Sequence, residues 1–138
     1  MDIRPLTDQF AVSPQIDVSD MQDIAGAGFQ SVLCNRPDGE EFGQTDFDTI
    51  AEAARAAGLE IRSVPIVSGM VTQEALSDFV AALQEMPKPI LAYCRSGTRC
   101  TMLWSIAQFG KMDSNEIISR ASEAGYDMSG LIAQLSRQ

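Results

Sequence analysis

The chain has 138 residues, a formal net charge of −9 and no histidine; 45% of its residues are hydrophobic and 21% are charged. This composition is typical of a single globular domain spanning residues 1–138. The negative charge argues against binding to nucleic acid, whose phosphates most of the surface would repel. The lack of histidine excludes a histidine-dependent metal site and a nucleophile–histidine pair, so we expect neither a metal nor a cofactor.

The cysteines and the apolar segments indicate where the protein works. No run of apolar residues is long enough to cross a membrane, and the first residues do not resemble a signal peptide. We therefore expect a cytoplasmic protein without membrane contact. Three cysteines are an odd number for a chain of ordinary size, which favours free or redox-active thiols over a disulfide scaffold.

Apolar runs alternate with amphipathic stretches along the chain. Strands are predicted, from apolar runs bounded by turn residues, at 3–12 (as a strand or hairpin), 29–34, 59–67 and 89–94. Helices are predicted, from apolar side chains at helical spacing, at 18–27, 46–57, 72–86, 101–109, 113–124 and 128–135. Strands that alternate with helices form βαβ units, so the sequence predicts an α/β domain with a mostly parallel sheet flanked by helices.

The segment Pro89–Cys100 combines a buried strand, a polar loop and the first turn of a helix. A helix N-terminus offers unpaired N–H groups and the positive end of its dipole. Arg95 and Arg99 add two positive charges beside Cys94, which ends the strand. These surroundings stabilise a thiolate, so we predict that Cys94 is a nucleophile above an anion-binding loop.

The alternative for Cys94 is a small buried side chain that serves only packing. A packing cysteine gains nothing from two arginines within five positions, and this chain has only ten lysines and arginines in total. The clustering of charge therefore favours a reactive thiol.

Two further polar segments follow predicted strands, at 35–38 and 68–70. In a parallel sheet, ligands bind at the carboxyl ends of the strands, where these segments and the Cys94 loop should meet. Arg36 is then a candidate third cation for an anionic substrate, and Asp38 a candidate orienting or general acid. Turn chemistry alone explains both residues equally well.

Four segments carry a resemblance to a known family: Pro14-Gln15, Asn35-Arg-Pro-Asp-Gly-Glu40, Val64-Pro65 and Ala92-Tyr-Cys-Arg-Ser-Gly-Thr-Arg99. Over nearly its whole length the chain resembles the bacterial family of unknown function numbered 442 (DUF442), described as phosphatase-like or as sulfurtransferases linked to β-lactamase-like hydrolases. The resemblance implies a cysteine-phosphatase-like α/β fold. It also implies an association with a persulfide dioxygenase-type domain in sulfide detoxification, here expected as a separate partner protein.

The length of the loop separates two enzyme classes. Tyrosine and dual-specificity phosphatases place five residues between the cysteine and the arginine, whereas only Arg95, Ser96, Gly97 and Thr98 separate Cys94 from Arg99. This spacing resembles the rhodanese pattern, whose smaller loop suits sulfane sulfur. A phosphatase also needs an acid to protonate the leaving oxygen, and residues 68–72 contain none.

We therefore predict a sulfurtransferase. Cys94 accepts sulfur from a small anionic donor, thiosulfate or a low-molecular-weight persulfide, and passes it to a thiol acceptor. Arg99 acts with Cys94, while Arg95, Ser96, Gly97 and Thr98 bind the donor. The alternatives are a cysteine-dependent phosphatase and a thiol sensor or sulfur carrier with little turnover. Cys100 is either a packing residue or a resolving thiol for Cys94.

Overall fold

The computed structural model describes residues 1–138 and places a five-stranded sheet between two layers of helices. The strands in chain order are β1 (Arg4–Thr7), β2 (Phe10–Ser13), β3 (Ser31–Cys34), β4 (Glu60–Ser63) and β5 (Ile90–Tyr93). Their order across the sheet is β1-β2-β5-β3-β4; β1 is antiparallel to β2, and all other neighbours are parallel. The predicted α/β class and mostly parallel sheet are confirmed.

Six α-helices surround the sheet: α1 (Met21–Gly26), α2 (Phe47–Ala56), α3 (Gln73–Glu85), α4 (Thr98–Gln108), α5 (Ser114–Glu123) and α6 (Ser129–Ser136). Side-chain caps begin several of them, since Asp46 accepts from the Thr49 N–H at 2.9 Å and Thr72 from the Ala75 N–H at 3.1 Å. A single 3₁₀ turn at Val18–Asp20 precedes α1. None of the helices combines the length and the apolar character that a membrane span requires.

The central strand β5 separates two apolar cores. Ile90 and Ala92 face the core covered by α3, α4, α5 and α6, whereas Leu91 and Tyr93 face the core covered by α1 and α2. Both faces of β5 are therefore buried, which explains its continuous apolar run. Cys94 continues the first face and lies against α4.

Two predicted elements have different bounds in the structure. The strand predicted at 59–67 is regular only over β4, because Pro65 has no N–H to continue the ladder. Val64 and Ile66 still donate backbone hydrogen bonds to Cys34 and Asn35, at 2.9 and 3.0 Å. Helix α4 begins at Thr98, three residues earlier than predicted, so it starts inside the Cys94 loop.

Candidate active site

The Cys94 loop leaves the sheet at the edge where the parallel strands end. Gly97 adopts the left-handed backbone conformation with φ of +88°, which turns the chain directly into α4. On the other side, the loop lies against the segment after β2: Cys94 N–H donates to the Ser13 carbonyl at 3.4 Å and Gln15 N–H donates to the Arg95 carbonyl at 3.3 Å. The loop is therefore held between a neighbouring strand and a helix N-terminus.

The Cys94 side chain is completely buried and surrounded by hydrogen-bond donors. Its Sγ atom accepts from the Gly97 N–H at 3.1 Å. The pKa of Cys94 is lowered from 9.0 to about 5, mainly by the Cys100 thiol acting as a donor and then by N–H groups of Cys100, Ser96 and Arg99; burial acts in the opposite direction. With this pKa Cys94 is a thiolate at neutral pH, stabilised foremost by the Cys100 thiol and by the loop N–H groups.

Cys100 behaves differently although it borders the same space. It is fully buried in the first turn of α4, and burial raises the pKa of its thiol well above the usual value. The thiol consequently stays protonated and donates to the Cys94 thiolate. All three cysteines are free. The resolving role of Cys100 stays a prediction.

Arg99 is held in place by a carboxylate from a distant part of the chain. Its Nη1 and Nη2 atoms donate to Oε2 and Oε1 of Glu40 at 2.7 and 2.8 Å, and Nη1 also donates to the Ile66 carbonyl at 2.8 Å. Such a bidentate pair fixes the plane of the guanidinium. The Nε–H and one N–H of Nη2 remain available, so one edge of Arg99 can still bind an anion.

Arg36 lies in the same ion-pair network. It is 3% exposed and donates to Glu40 at 2.9 Å, to Glu41 at 3.0 Å and to Gln15 at 2.9 Å. Arg36 is therefore linked to the site indirectly, through its ion pair with Glu40. Three of its five N–H donors are engaged in these bonds, and its contact with substrate stays a prediction.

Asp38 and Arg95 occupy the periphery of the site. Asp38 accepts from the Phe47 N–H at 2.8 Å, so its carboxylate serves the start of α2. The Arg95 side chain is 68% exposed and its Nη2 lies 3.8 Å from Oε2 of Glu41. Arg95 is therefore free to meet an incoming anion, while Asp38 fits the turn interpretation better than the acid interpretation.

Tyr126, which is distant in sequence, forms a hydrogen bond with the Cys94 loop. Its hydroxyl donates to the Ser96 carbonyl at 2.8 Å, and Ser96 in turn donates through its hydroxyl to Thr98 Oγ1 at 2.9 Å. A Cβ atom on Gly97 would lie 2.1 Å from the Tyr126 hydroxyl. The close approach and the positive φ together require glycine at this position.

Sequence reasoning missed the roles of Glu40, Glu41 and Tyr126. Glu40 belongs to a segment that carried the family resemblance, and the only signal for its role was its position after a strand expected to end near Cys94. Tyr126 gave no signal, because nothing in the local sequence relates it to the Cys94 loop.

Comparisons with known proteins agree with this architecture. The family model for the phosphatase-like domain of β-lactamase hydrolase-like proteins matches residues 2–111. A β-lactamase hydrolase-like protein of Xylella fastidiosa (strain Temecula1) is 31% identical over 140 residues; the match covers 100% of this chain but 32% of that protein. The chain thus spans about a third of the length of this curated relative.

Solved structures give the same fold. A phosphatase-like protein from Neisseria meningitidis Z2491 superposes with a TM-score of 0.88 at 33% identity, covering 99% of this chain and 98% of the other. Tk-PTP in its active form superposes with a TM-score of 0.72 at 15% identity, covering 99% and 94% of the two chains. This second match shows the shared fold alone. With its cysteine-phosphatase-like fold, the chain belongs to the family of phosphatase-like domains of β-lactamase hydrolase-like proteins.

Proposed function

We propose that the protein is a sulfurtransferase that carries sulfane sulfur on Cys94. The Cys94 thiolate attacks the outer sulfur of the donor, the donor's sulfur–sulfur bond breaks, and its electron pair leaves with sulfite or a thiolate. An acceptor thiolate then attacks the outer sulfur of the Cys94 persulfide and regenerates the Cys94 thiolate. Backbone N–H groups of the loop stabilise the negative charge on sulfur in both steps.

The observation that carries this proposal is that neither Glu40 nor Asp38 is placed to act as a carboxylic acid beside a ready thiolate. Phosphate ester hydrolysis needs a carboxylic acid to protonate the leaving alkoxide. Glu40 is the carboxyl group bound to Arg99, and that guanidinium, together with Arg36, lowers its pKa to about 2. Glu40 is therefore ionised at neutral pH, and Asp38 is engaged at the start of α2. Sulfur transfer needs no such acid, because sulfite and thiolates leave as anions.

A cysteine-dependent phosphatase is the second candidate. It is favoured by the name of the Neisseria meningitidis neighbour, which describes a phosphatase. In that reaction Cys94 would take the phosphoryl group from an ester and water would hydrolyse the cysteinyl phosphate.

One preparation assayed on three substrates decides between the candidates. Thiosulfate, glutathione persulfide and an aryl phosphate are each mixed with the protein, and the mass of the Cys94 peptide is measured. We expect the gain of one sulfur atom with a sulfur donor, and turnover when an acceptor thiol is added. A phosphorylated Cys94 peptide and release of phosphate, without sulfur transfer, would identify the phosphatase instead. Labelling without turnover would identify a carrier.

The partner implied by this function is a protein that consumes the transferred sulfur. We propose a persulfide dioxygenase as this partner.

A further inference from the structure

Glu40 occupies an unusual place for a carboxylate in an anion-binding site. Its two oxygens accept three hydrogen bonds, two from Arg99 and one from Arg36, at 2.7 to 2.9 Å. The Glu40 side chain is only 24% exposed and the two guanidinium groups are nearly buried, so water screens these charges poorly. Glu40 consequently neutralises much of the positive charge that Arg99 would otherwise offer to a substrate.

The charges around Cys94 are balanced before a substrate arrives. The guanidinium groups of Arg36, Arg95 and Arg99 meet the carboxylates of Glu40 and Glu41, and the Cys94 thiolate is the third negative charge. A dianion such as thiosulfate or a phosphate monoester would bring two more negative charges next to this thiolate. An organic persulfide brings at most one negative charge at its reacting end, so its repulsion from the Cys94 thiolate is smaller.

A cavity beside the site has room for the organic part of such a donor. It has a volume of about 240 Å³ and is lined in part by Arg36 and Glu41, which also belong to the charge network, and by Gln15, Ile16 and Phe42. The Phe42 side chain is fully exposed at its rim. A three-oxygen inorganic group needs neither this volume nor an exposed aromatic ring, whereas an organic thiol can use both.

We infer that Glu40 is a specificity-determining residue that favours organic persulfides as sulfur donors and disfavours dianions. This inference rests on the proposed function. Glu40 acts through Arg99: it fixes the plane of the guanidinium, leaves the Nε edge free for the donor and cancels part of the positive charge. The reaction is balanced, because the Cys94 thiolate forms a bond to the outer sulfur of R–S–SH, the old sulfur–sulfur bond breaks and R–S⁻ leaves with the electron pair.

The test is a comparison of donor selectivity in Glu40→Gln, with Glu116→Gln as the matched control. Glutamine keeps the shape of the side chain and an acceptor oxygen while removing the charge. Glu116 likewise pairs with an arginine, Arg120 at 2.8 Å, but on the surface of α5. The measured quantity is the second-order rate of sulfur addition to Cys94 from thiosulfate and from glutathione persulfide, with near-ultraviolet circular dichroism to verify folding.

We expect Glu40→Gln to shift the ratio of the two rates towards thiosulfate by roughly tenfold, the effect of one poorly screened charge. Glu116→Gln should leave the ratio at the wild-type value. An equal fall of both rates in Glu40→Gln would mean that Glu40 only positions Arg99, and an unchanged ratio would likewise overturn the inference. If the wild type gains no sulfur from either donor, the proposed function itself fails, which is a distinguishable result.

Discussion

The Cys94 loop and the segment between β3 and α2 contribute to the same site in different ways. The loop, residues 94–99, carries the nucleophile, the amide groups and Arg99 within six consecutive positions. The second segment, residues 35–46, supplies Glu40 and Glu41, which pair with Arg99 and Arg95 of the loop, and Arg36, which pairs with both carboxylates. In the proposed function, the loop supplies the chemistry and the neighbouring segment selects which anion approaches it.

The largest effect on activity is expected from replacing the nucleophile in the Cys94 loop. Cys94→Ser should reduce turnover by at least about a thousandfold on every substrate that the wild type accepts, as removal of a nucleophile does in other enzymes. The matched control is Cys34→Ser, because Cys34 is also buried but donates to the Arg36 carbonyl, a bond that a hydroxyl can keep. Activity in Cys94→Ser would remove the central claim.

The second prediction concerns the contact between the loop and Tyr126. Gly97→Ala should destabilise the protein by about 1–3 kcal/mol, from the positive φ, and should also lower activity by displacing the loop. Gly130→Ala is the matched control, because Gly130 lies in α6 and no atom is within 4 Å of the Cβ that alanine would add. This substitution should slightly stabilise the protein. Thermal unfolding of both variants measures the difference. Equal stabilities would contradict the role assigned to Gly97.

The third prediction follows from the pKa of Cys94. Alkylation by iodoacetamide should rise with pH through a midpoint near 5 and stay level from pH 7 upwards, whereas an ordinary thiol titrates near 8.5. Cys34 serves as the internal control, because burial raises the pKa of its thiol. Peptide mass analysis after timed labelling distinguishes the two sites. A Cys94 midpoint near 8.5 would mean that the loop does not stabilise the thiolate.

The same pKa has a consequence for stability. The folded pKa of about 5 lies below the value of 9.0 for an unperturbed thiol, so folding favours the thiolate. This contribution is fully present above pH 9 and is lost as the pH falls through 5. When the pH is lowered from 9 to 5, the wild type should therefore lose more stability than Cys94→Ser does. A difference independent of pH would contradict the assignment.

The fourth prediction concerns Tyr126→Phe, which removes the Tyr126 hydroxyl and leaves Gly97 unchanged. Tyr126→Phe loses one hydrogen bond to the Ser96 carbonyl and should cost about 1 kcal/mol of stability. Because the loop amides and Arg99 stay in place, the rate of Cys94 alkylation at pH 7 should fall by less than about threefold. A larger loss of reactivity would show that Tyr126 also shapes the thiolate environment.

The smallest expected effect concerns Arg95. Its side chain is mostly exposed and its ion pair with Glu41 is long, so Arg95→Gln should change stability by less than about 1 kcal/mol. The apparent affinity for an anionic donor should fall modestly at low salt and match the wild type at high salt, where exposed charges are screened. A loss that persists at high salt would indicate a direct contact with the donor.

The sequence by itself determined the parts of this protein that are local in the chain. Apolar periodicity located the strands and the helices, and Asp46 and Thr72, the first residues of two predicted helices, are the caps of α2 and α3. The position of Cys94 at a strand end, the helix that follows and the neighbouring Arg95 and Arg99 led to the prediction of a stabilised thiolate. These features depend on neighbours within a few residues, so their physical causes can be read from a short segment.

Only the tertiary structure decided how the charges of the site are arranged. Glu40 meets Arg99 across 59 sequence positions and Tyr126 meets Ser96 across 30, and neither contact has a local pattern. Asp38 illustrates the same limit, because its carboxylate accepts a hydrogen bond from the Phe47 N–H, nine positions along the chain. The distances and orientations of these side chains depend on how β3, β5 and α4 pack together. The partner of Arg99 could therefore be identified only from the tertiary structure.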